Sequence, residues 1–423
     1  MQKGLQFLAG KVDINRDLIL LLVIGGLYSL GIFLSNTFVN IYLWKQAGDY
    51  ITIAIYNLAV YIFQPITFIL AGKVAKKVDR VIVLRLGVIT LSLFFLSVLL
   101  IADQAAKYNF ILGSLLGIGY GFYWLAYNVL TFEITEPETR DFFNGFLGVL
   151  QSFGGMIGPL LAGIIIGKMT DNAGYTTIFT ISFILFICAV ATSFFIKRRK
   201  AEGSFYFRRI LEERRHNKNW RRVLNAHTFQ GLREGIFVFV ISIWVFLVTG
   251  SEFSLGMFNL VLSGLSFVCY FIVTKFIKPS LRKRAILAGA VILYGSIFII
   301  LFDITYTQLI IYAILIGIAY PIINVPYASL TYDVIGKAWK AKDLRVEYIV
   351  VRELFINIGR VFSILTFLVT VMLANAENVI PYLLVIFGTG HLFIYFFMKD
   401  IYLTSGQKKD MMVKEQITDE ENR

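Results

Sequence analysis

The residues with the most chemical capacity lie close together in one otherwise apolar run, 347–374: Arg352, Glu353, Asn357 and Arg360. Glu353, Asn357 and Arg360 follow steps of four and three, which puts them on one face of a helix. Arg352 and Arg360 stand roughly 80° apart around the same helix. From Arg345 to Arg360 the helix rises about 22 Å, so in a membrane span Arg360 lies near mid-depth. Charges there are costly unless paired or hydrated, and they mark a functional site. On this reading Glu353 pairs with an arginine, and Arg360 meets an anionic or hydroxyl-rich solute or gates a cavity. A structural ion pair is the alternative. A second charged place is Arg233-Glu234, with Gln230 one turn away, in the run 226–249. Neighbours on a helix point in different directions, so these two do not neutralise one another along one face. A carboxylate held between burial and an arginine can take up and release a proton. Glu234 and Glu353 are therefore the candidates for proton coupling, with Arg233 and Arg352 as ion-pair partners. Glu133, Glu136, Glu138 and Asp141 read as loop or gate charges.

Two aromatic stripes accompany the charges. Tyr120, Trp124, Tyr127 and Thr131 recur at steps of four, three and four, and Tyr320, Asn324, Tyr327 and Thr331 repeat the pattern. Such faces, with apolar rings and polar tips, suit a cavity that holds an organic body and its hydroxyls. Tyr28, Ser29, Asn36 and Asn40 add polar groups to the run 18–43. The expected cavity lining is Tyr28, Asn36, Tyr120, Trp124, Tyr127, Tyr320, Asn324, Tyr327, Asn357 and Arg360. Helix packing with interfacial aromatics is the alternative.

The elements that must position these groups are membrane helices. Of 423 residues, 57% are hydrophobic and only 16% charged, against about 25% charged in soluble domains. Soluble enzyme, disordered chain and secreted disulfide scaffold are poor fits. The apolar runs predict twelve spans: 18–43, 50–72, 82–102, 109–131, 145–167, 176–196, 226–249, 254–276, 285–303, 307–331, 347–374 and 380–399. The expected fold is all-α, with twelve transmembrane helices. Lys73, Lys76, Lys77, Arg80, the run 197–222, 275–284 and 337–345 all fall on one side, which places both termini in the cytoplasm. The net charge of +13 therefore reports topology rather than nucleic-acid binding. The stretch 197–225, with Arg208, Arg209, Arg214, Arg215, Arg221 and Arg222 among Phe205, Tyr206, Phe207 and Trp220, reads as a connecting linker; an amphipathic helix on an anionic leaflet is the alternative. The polar stretch 401–423 reads as a tail. Cys188 and Cys269 sit in apolar runs, and His216, His227 and His391 are scattered, so no disulfide, metal or other cofactor is expected.

The chain repeats itself. Gly117-Ile118-Gly119-Tyr120, Tyr127 and Thr131 match Gly317-Ile318-Ala319-Tyr320, Tyr327 and Thr331; Arg140 and Gly154 match Arg345 and Gly359; Gly26-Leu27 matches Gly231-Leu232. The near-constant offset predicts two six-helix pseudo-repeats, 1–196 and 226–400, flanking a central cavity. Gly145, Gly154, Gly158-Pro159 and Ala162-Gly163 predict a bent helix that a neighbour approaches closely.

On these residues the chain resembles the major facilitator superfamily of secondary transporters. It is most similar to a branch found in bacilli, through Gly121-Phe122-Tyr123-Trp124-Leu125-Ala126-Tyr127-Asn128 and Arg140-Asp141-Phe142-Phe143-Asn144-Gly145. The resemblance implies a plasma-membrane permease working by alternating access. It also implies a loop signature beginning at Gly72, in which Lys76 occupies the usual acidic position, so the family's lock between halves is altered; Asp79, beside Arg80, is the candidate substitute. The glycine pattern from Gly145 resembles the family's antiporter signature, with Ala162 in place of its penultimate glycine. The expected function is proton-coupled transport of a small or amphipathic organic solute by a monomer, with efflux slightly favoured. A sugar or glycolipid carrier or flippase, and a non-transporting membrane sensor on a carrier fold, are the alternatives. No nucleotide loop, metal-ligand spacing or Ser/His/Asp order suggests an enzyme.

Overall fold

The computed structural model describes residues 15–134, 137–170, 172–199, 203–301 and 304–402, apart from the side chains of 132, 133, 137–145, 274 and 275. Its elements are helices with short 3₁₀ turns: α1 (Arg16–Ala47), α2 (Tyr50–Lys77), α3 (Arg80–Ile101), α4 (Asn109–Ile134), α5 (Pro137–Lys168), α6 (Ala173–Ser193), α7 (Phe207–His216), α8 (Lys218–Thr249), α9 (Glu252–Phe276), α10 (Arg282–Gly295), α11 (Tyr306–Gly336), α12 (Arg345–Leu373), α13 (Ala376–Gly388) and α14 (Gly390–Met398). Eleven are long and apolar enough to cross a membrane among the described residues, with α13 and α14 together forming one.

Side-chain caps set many of the boundaries. Asn15, Asp49, Asp79, Asn217, Ser251 and Asn375 each accept a hydrogen bond from a backbone N–H in the helix they precede. Thr305 and Gln308 form a reciprocal capping box at α11. These caps satisfy N–H groups that the helix itself leaves open. Because Asn217 caps α8, that helix starts at Lys218, eight residues before the expected 226. Gly48 and Gly250 close α1 and α8 with φ of 68° and 58°, a conformation glycine adopts without strain.

Two expected spans differ from simple helices. At 285–303, α10 hands over to a 3₁₀ turn, Ser296–Ile299; helix and turn together rise about 29 Å, close to a bilayer core. The expected span 380–399 breaks at Thr389 into α13 and α14, between Gly388 and Gly390, two residues of low helix propensity.

The helices pack in two groups. In the first, α1 packs on α5 and α6, α4 on α2 and α3, and α3 on α6. In the second, α8 packs on α12 and α14, α11 on α9 and α10, and α10 on α14. The main contacts between groups are α5 with α9 and α2 with α12. The end of the bundle carrying Lys77, Arg80, α7 and Arg345 is here termed the basic end. The short α7 docks on protein: its Ile210 and Glu213 are buried, Trp220 Nε1 donates to the Ile210 carbonyl, and Arg209 and Arg214 lie over the rings of Trp339 and Phe355.

Candidate functional site

The packing of α12 against α8 brings the two charged places of the sequence together. Glu234 of α8 receives Arg360 of α12 through Nη2 at 2.6 Å and Nε at 3.2 Å. Gln230 Nε2 donates to its other oxygen at 2.8 Å. Arg360 also donates to Asn357 Oδ1 at 3.3 Å, and its guanidinium lies over the Tyr61 ring of α2, 4.9 Å from the centroid. Arg360 therefore touches both helix groups. About two turns away Arg352 pairs with Glu353 at 2.7 Å and reaches the Tyr332 hydroxyl at 3.4 Å. Asn357, wholly buried, donates to the Glu353 carbonyl oxygen. Arg233 turns the other way. It is 1% exposed, donates to the Tyr320 hydroxyl at 2.6 Å and lies over the Phe237 ring. No carboxylate of the described residues is within ion-pair distance of it.

The first aromatic stripe forms a ring stack. Tyr28 of α1 stacks on Tyr123 at 4.0 Å and meets Trp124 edge-on at 5.2 Å; Tyr120 donates to Asn36 at 3.4 Å. Trp124, Tyr127, Asn128 and Thr131 of α4 then line a cavity of about 330 Å³, faced by Tyr332 and Ile335 of α11 and by Arg345 and Ile349 of α12. This cavity lies between the helix groups in the half of the bundle toward the basic end. The second stripe is divided. Tyr320 bonds Arg233, while Tyr327 is buried against His227, with ring centroids 4.8 Å apart; Asn324 is half-buried. Neither Tyr320 nor Tyr327 lines the 330 Å³ cavity, and Tyr332 from the next turn takes that place.

Charged contacts join the groups at both ends. At the basic end Lys76 Nζ of α2 pairs with Glu347 of α12 at 3.2 Å, and Glu347 is fully buried. The same carboxylate accepts from the Tyr206 amide, and the Gly203 amide donates to the Lys76 carbonyl oxygen. Gly72 packs under Phe205 and Val350. Asp79 takes no part in this bridge. It caps α3 and pairs with Arg198 Nε at 3.1 Å. Burial pushes its carboxyl up, but the Val81 amide, the Arg198 guanidinium and the Ile82 amide outweigh that and hold it below the usual carboxylate range. Arg80 starts α3. At the opposite end Lys45 of α1 pairs with Glu252 of α9 at 3.1 Å, and the Tyr175 hydroxyl donates to the same oxygen at 2.8 Å. There α5 and α9 touch backbone to backbone: a Cβ on Gly163 would stand 2.5 Å from the Glu252 carbonyl oxygen, and one on Gly256 2.6 Å from that of Pro159. Gly154 and Gly158 pack on α1 at Ser29 and Leu34. Gly145, Arg140, Asp141, Glu133, Glu136 and Glu138 fall outside the described residues or side chains.

Sequence reasoning missed Lys76–Glu347, Lys45–Glu252, Tyr61 and Tyr332. The signal for the first was present: a lysine at an acidic signature position asks for an acid opposite it. The others depend on which helices meet, which no local spacing reveals.

Comparison with known proteins bears on this architecture. The family model described as Major Facilitator Superfamily matches residues 21–363. The uncharacterized protein YqgE of Bacillus subtilis (strain 168) is 57% identical over 392 residues, 93% of this chain and 91% of that protein. Among solved structures, an auto-inhibited peptide transporter of the POT family superposes with a TM-score of 0.70 at 11% identity, over 93% of this chain and 98% of that one. A human organic anion transporter superposes with a TM-score of 0.67 at 13% identity, over 91% and 100%. The family model spans most of the chain, its members are secondary transporters of this multi-pass helical fold, and the chain belongs to the Major Facilitator Superfamily.

Proposed function

We propose that this transporter moves a small or amphipathic organic solute by alternating access between two six-helix units, 1–196 and 226–400, joined by the basic connection 197–225. The observation that carries the reading is the exchange symmetry of the packing. Moving each contact of the first helix group to its counterpart in the second (α1 to α8, α2 to α9, α3 to α10, α4 to α11, α5 to α12, α6 to the α13–α14 pair) gives the contacts of the second group. The same exchange turns the α5–α9 seam into the α2–α12 seam. Two units related in this way rock about a solute held between them. The Lys76–Glu347 and Lys45–Glu252 bridges are the parts that must part alternately.

The excess of lysine and arginine at the basic end supports placing that end, and both termini, in the cytoplasm; the carrier works as a monomer in the plasma membrane on this reading. Proton coupling runs through Glu234 and Glu353. Protonation of Glu234 would release Arg360 and with it the contact to Tyr61 across the units. Efflux remains slightly favoured, on the glycine-rich α5. The test is flux in proteoliposomes under an imposed pH gradient, with Glu234→Gln and Glu353→Gln beside the wild type. Loss of gradient-driven flux in at least one variant is expected. Full flux in both would remove the coupling assignment.

A further inference from the structure

The charged layer of α8 and α12 has an imbalance. It holds three arginines, Arg233, Arg352 and Arg360, and two glutamates, Glu234 and Glu353. The glutamates are committed: Glu353 to Arg352, Glu234 to Arg360 and Gln230. Arg233 is left over, although it is the most buried of the five. A guanidinium cannot shed its proton at any ordinary pH. Burying a guanidinium without an ion-pair partner is strongly disfavoured, so Arg233 is the member of this layer with donors still open to an anion.

The open donors are specific. Arg233 uses Nη1 on the Tyr320 hydroxyl, while Nε and Nη2 make no hydrogen bond. Those two nitrogens form the side-on edge of the guanidinium, the edge that grips a carboxylate or phosphate through two parallel N–H bonds. Beside them is His391, fully buried, its ring 5.8 Å from that of Tyr320 and both its nitrogens without a partner. The Tyr320 hydroxyl accepts from Arg233 and keeps its own proton to donate. Fork, hydroxyl and imidazole are thus three neighbouring sources of N–H and O–H donors. The rings of Phe237 and Tyr320 flank the guanidinium and the Tyr312 hydroxyl is close to it; such rings suit an apolar body attached to the charged group.

We infer that Arg233, with Tyr320 and His391, is the recognition point for an organic oxyanion, so that the transported solute carries a carboxylate or phosphate group. This rests on the carrier reading above and narrows its substrate class. It also reassigns the anion-meeting role from Arg360, which the sequence suggests and which the structure occupies with Glu234.

The test uses the purified full chain in neutral detergent at fixed ionic strength. Thermal unfolding is followed with benzoate, phenyl phosphate and inorganic phosphate, against benzamide and benzyltrimethylammonium. At least one oxyanion is expected to raise the midpoint by about 2 °C or more at saturation, with the amide and the cation inert. Benzoate against phenyl phosphate separates carboxylate from phosphate; inorganic phosphate shows whether the organic body is needed. Arg233→Met should abolish the shift, and Arg233→Lys, which keeps the charge without the fork, should weaken it. Without ligand, Arg233→Met should unfold no lower than the wild type, because it removes an uncompensated charge, whereas Arg360→Met should unfold lower. The inference is overturned if no oxyanion stabilises the wild type, if the shift survives in Arg233→Met, or if ligand-free Arg233→Met is destabilised as much as Arg360→Met. Flux of the same probes in proteoliposomes separates the two readings. Oxyanion stabilisation without flux supports this site and counts against the carrier reading. Flux of benzamide without any oxyanion stabilisation keeps the carrier and overturns this site.

Discussion

At the scale of single residues, the chain distinguishes charges that are matched from charges that wait. Glu234 and Arg360, each side chain less than a fifth exposed, are one another's ion-pair partner, so removing either leaves the other's charge uncompensated. Glu234→Gln is expected to cost about 3 kcal/mol of stability, and Glu234→Gln with Arg360→Met less than the sum of the two single changes. Chemical denaturation of the four proteins in detergent would measure this cycle; additive losses would show that the pair is not coupled. Asp79 differs because it is a buried helix cap whose ion-pair partner, Arg198, is half exposed. Its folded-state carboxyl is held below the ordinary value, so its contribution is full above about pH 4, the unfolded value, and fades as the pH falls through the folded one. Asp79→Asn should lower thermal stability at neutral pH and flatten its decline toward acid. Parallel pH profiles for wild type and variant would contradict the assignment.

At the scale of elements, the decisive features are two seams between the helix groups. The α5–α9 seam depends on backbone contact at Gly163 and Gly256. A leucine side chain at 256 cannot fit there and should hold the end near Lys45 open. With Cys188 and Cys269 replaced by alanine, a cysteine at Ser263, which faces Gly155 in that seam, should then react several times faster with a membrane-impermeant maleimide. An unchanged rate would mean that the seam does not close this end. The helices themselves were legible in the sequence, because long apolar runs and their caps are local signals. The shared face of Glu353, Asn357 and Arg360 was legible for the same reason. The partner of Arg360 was not: Glu234 is 126 residues away, and only the packing of α8 on α12 brings it near. The break at Thr389 was likewise invisible within an unbroken apolar run, and the second aromatic stripe failed as one cavity lining because its tyrosines turn toward α8 and α14.

At the scale of the whole molecule, the bridge at the basic end is written with reversed polarity: the lysine is on the first helix group and the acid on the second. Lys76→Glu and Glu347→Lys should each loosen that end and shift the solvent accessibility of the cavity beside Trp124. The double reversal should restore much of the wild-type accessibility, as read by maleimide labelling of a cysteine at Asn128; a double variant no better than the singles would show that the two charges do not act on each other. The short strap 203–206 adds a further consequence. Its Gly203 amide is bound to the first helix group and its Tyr206 amide to the second. Two protons three residues apart are therefore clocks for the same event. Deuterium uptake at both amides would speed up together whenever this end opens and slow together when it shuts, so their common exchange rate would time the turnover of a carrier with no tracer solute in hand.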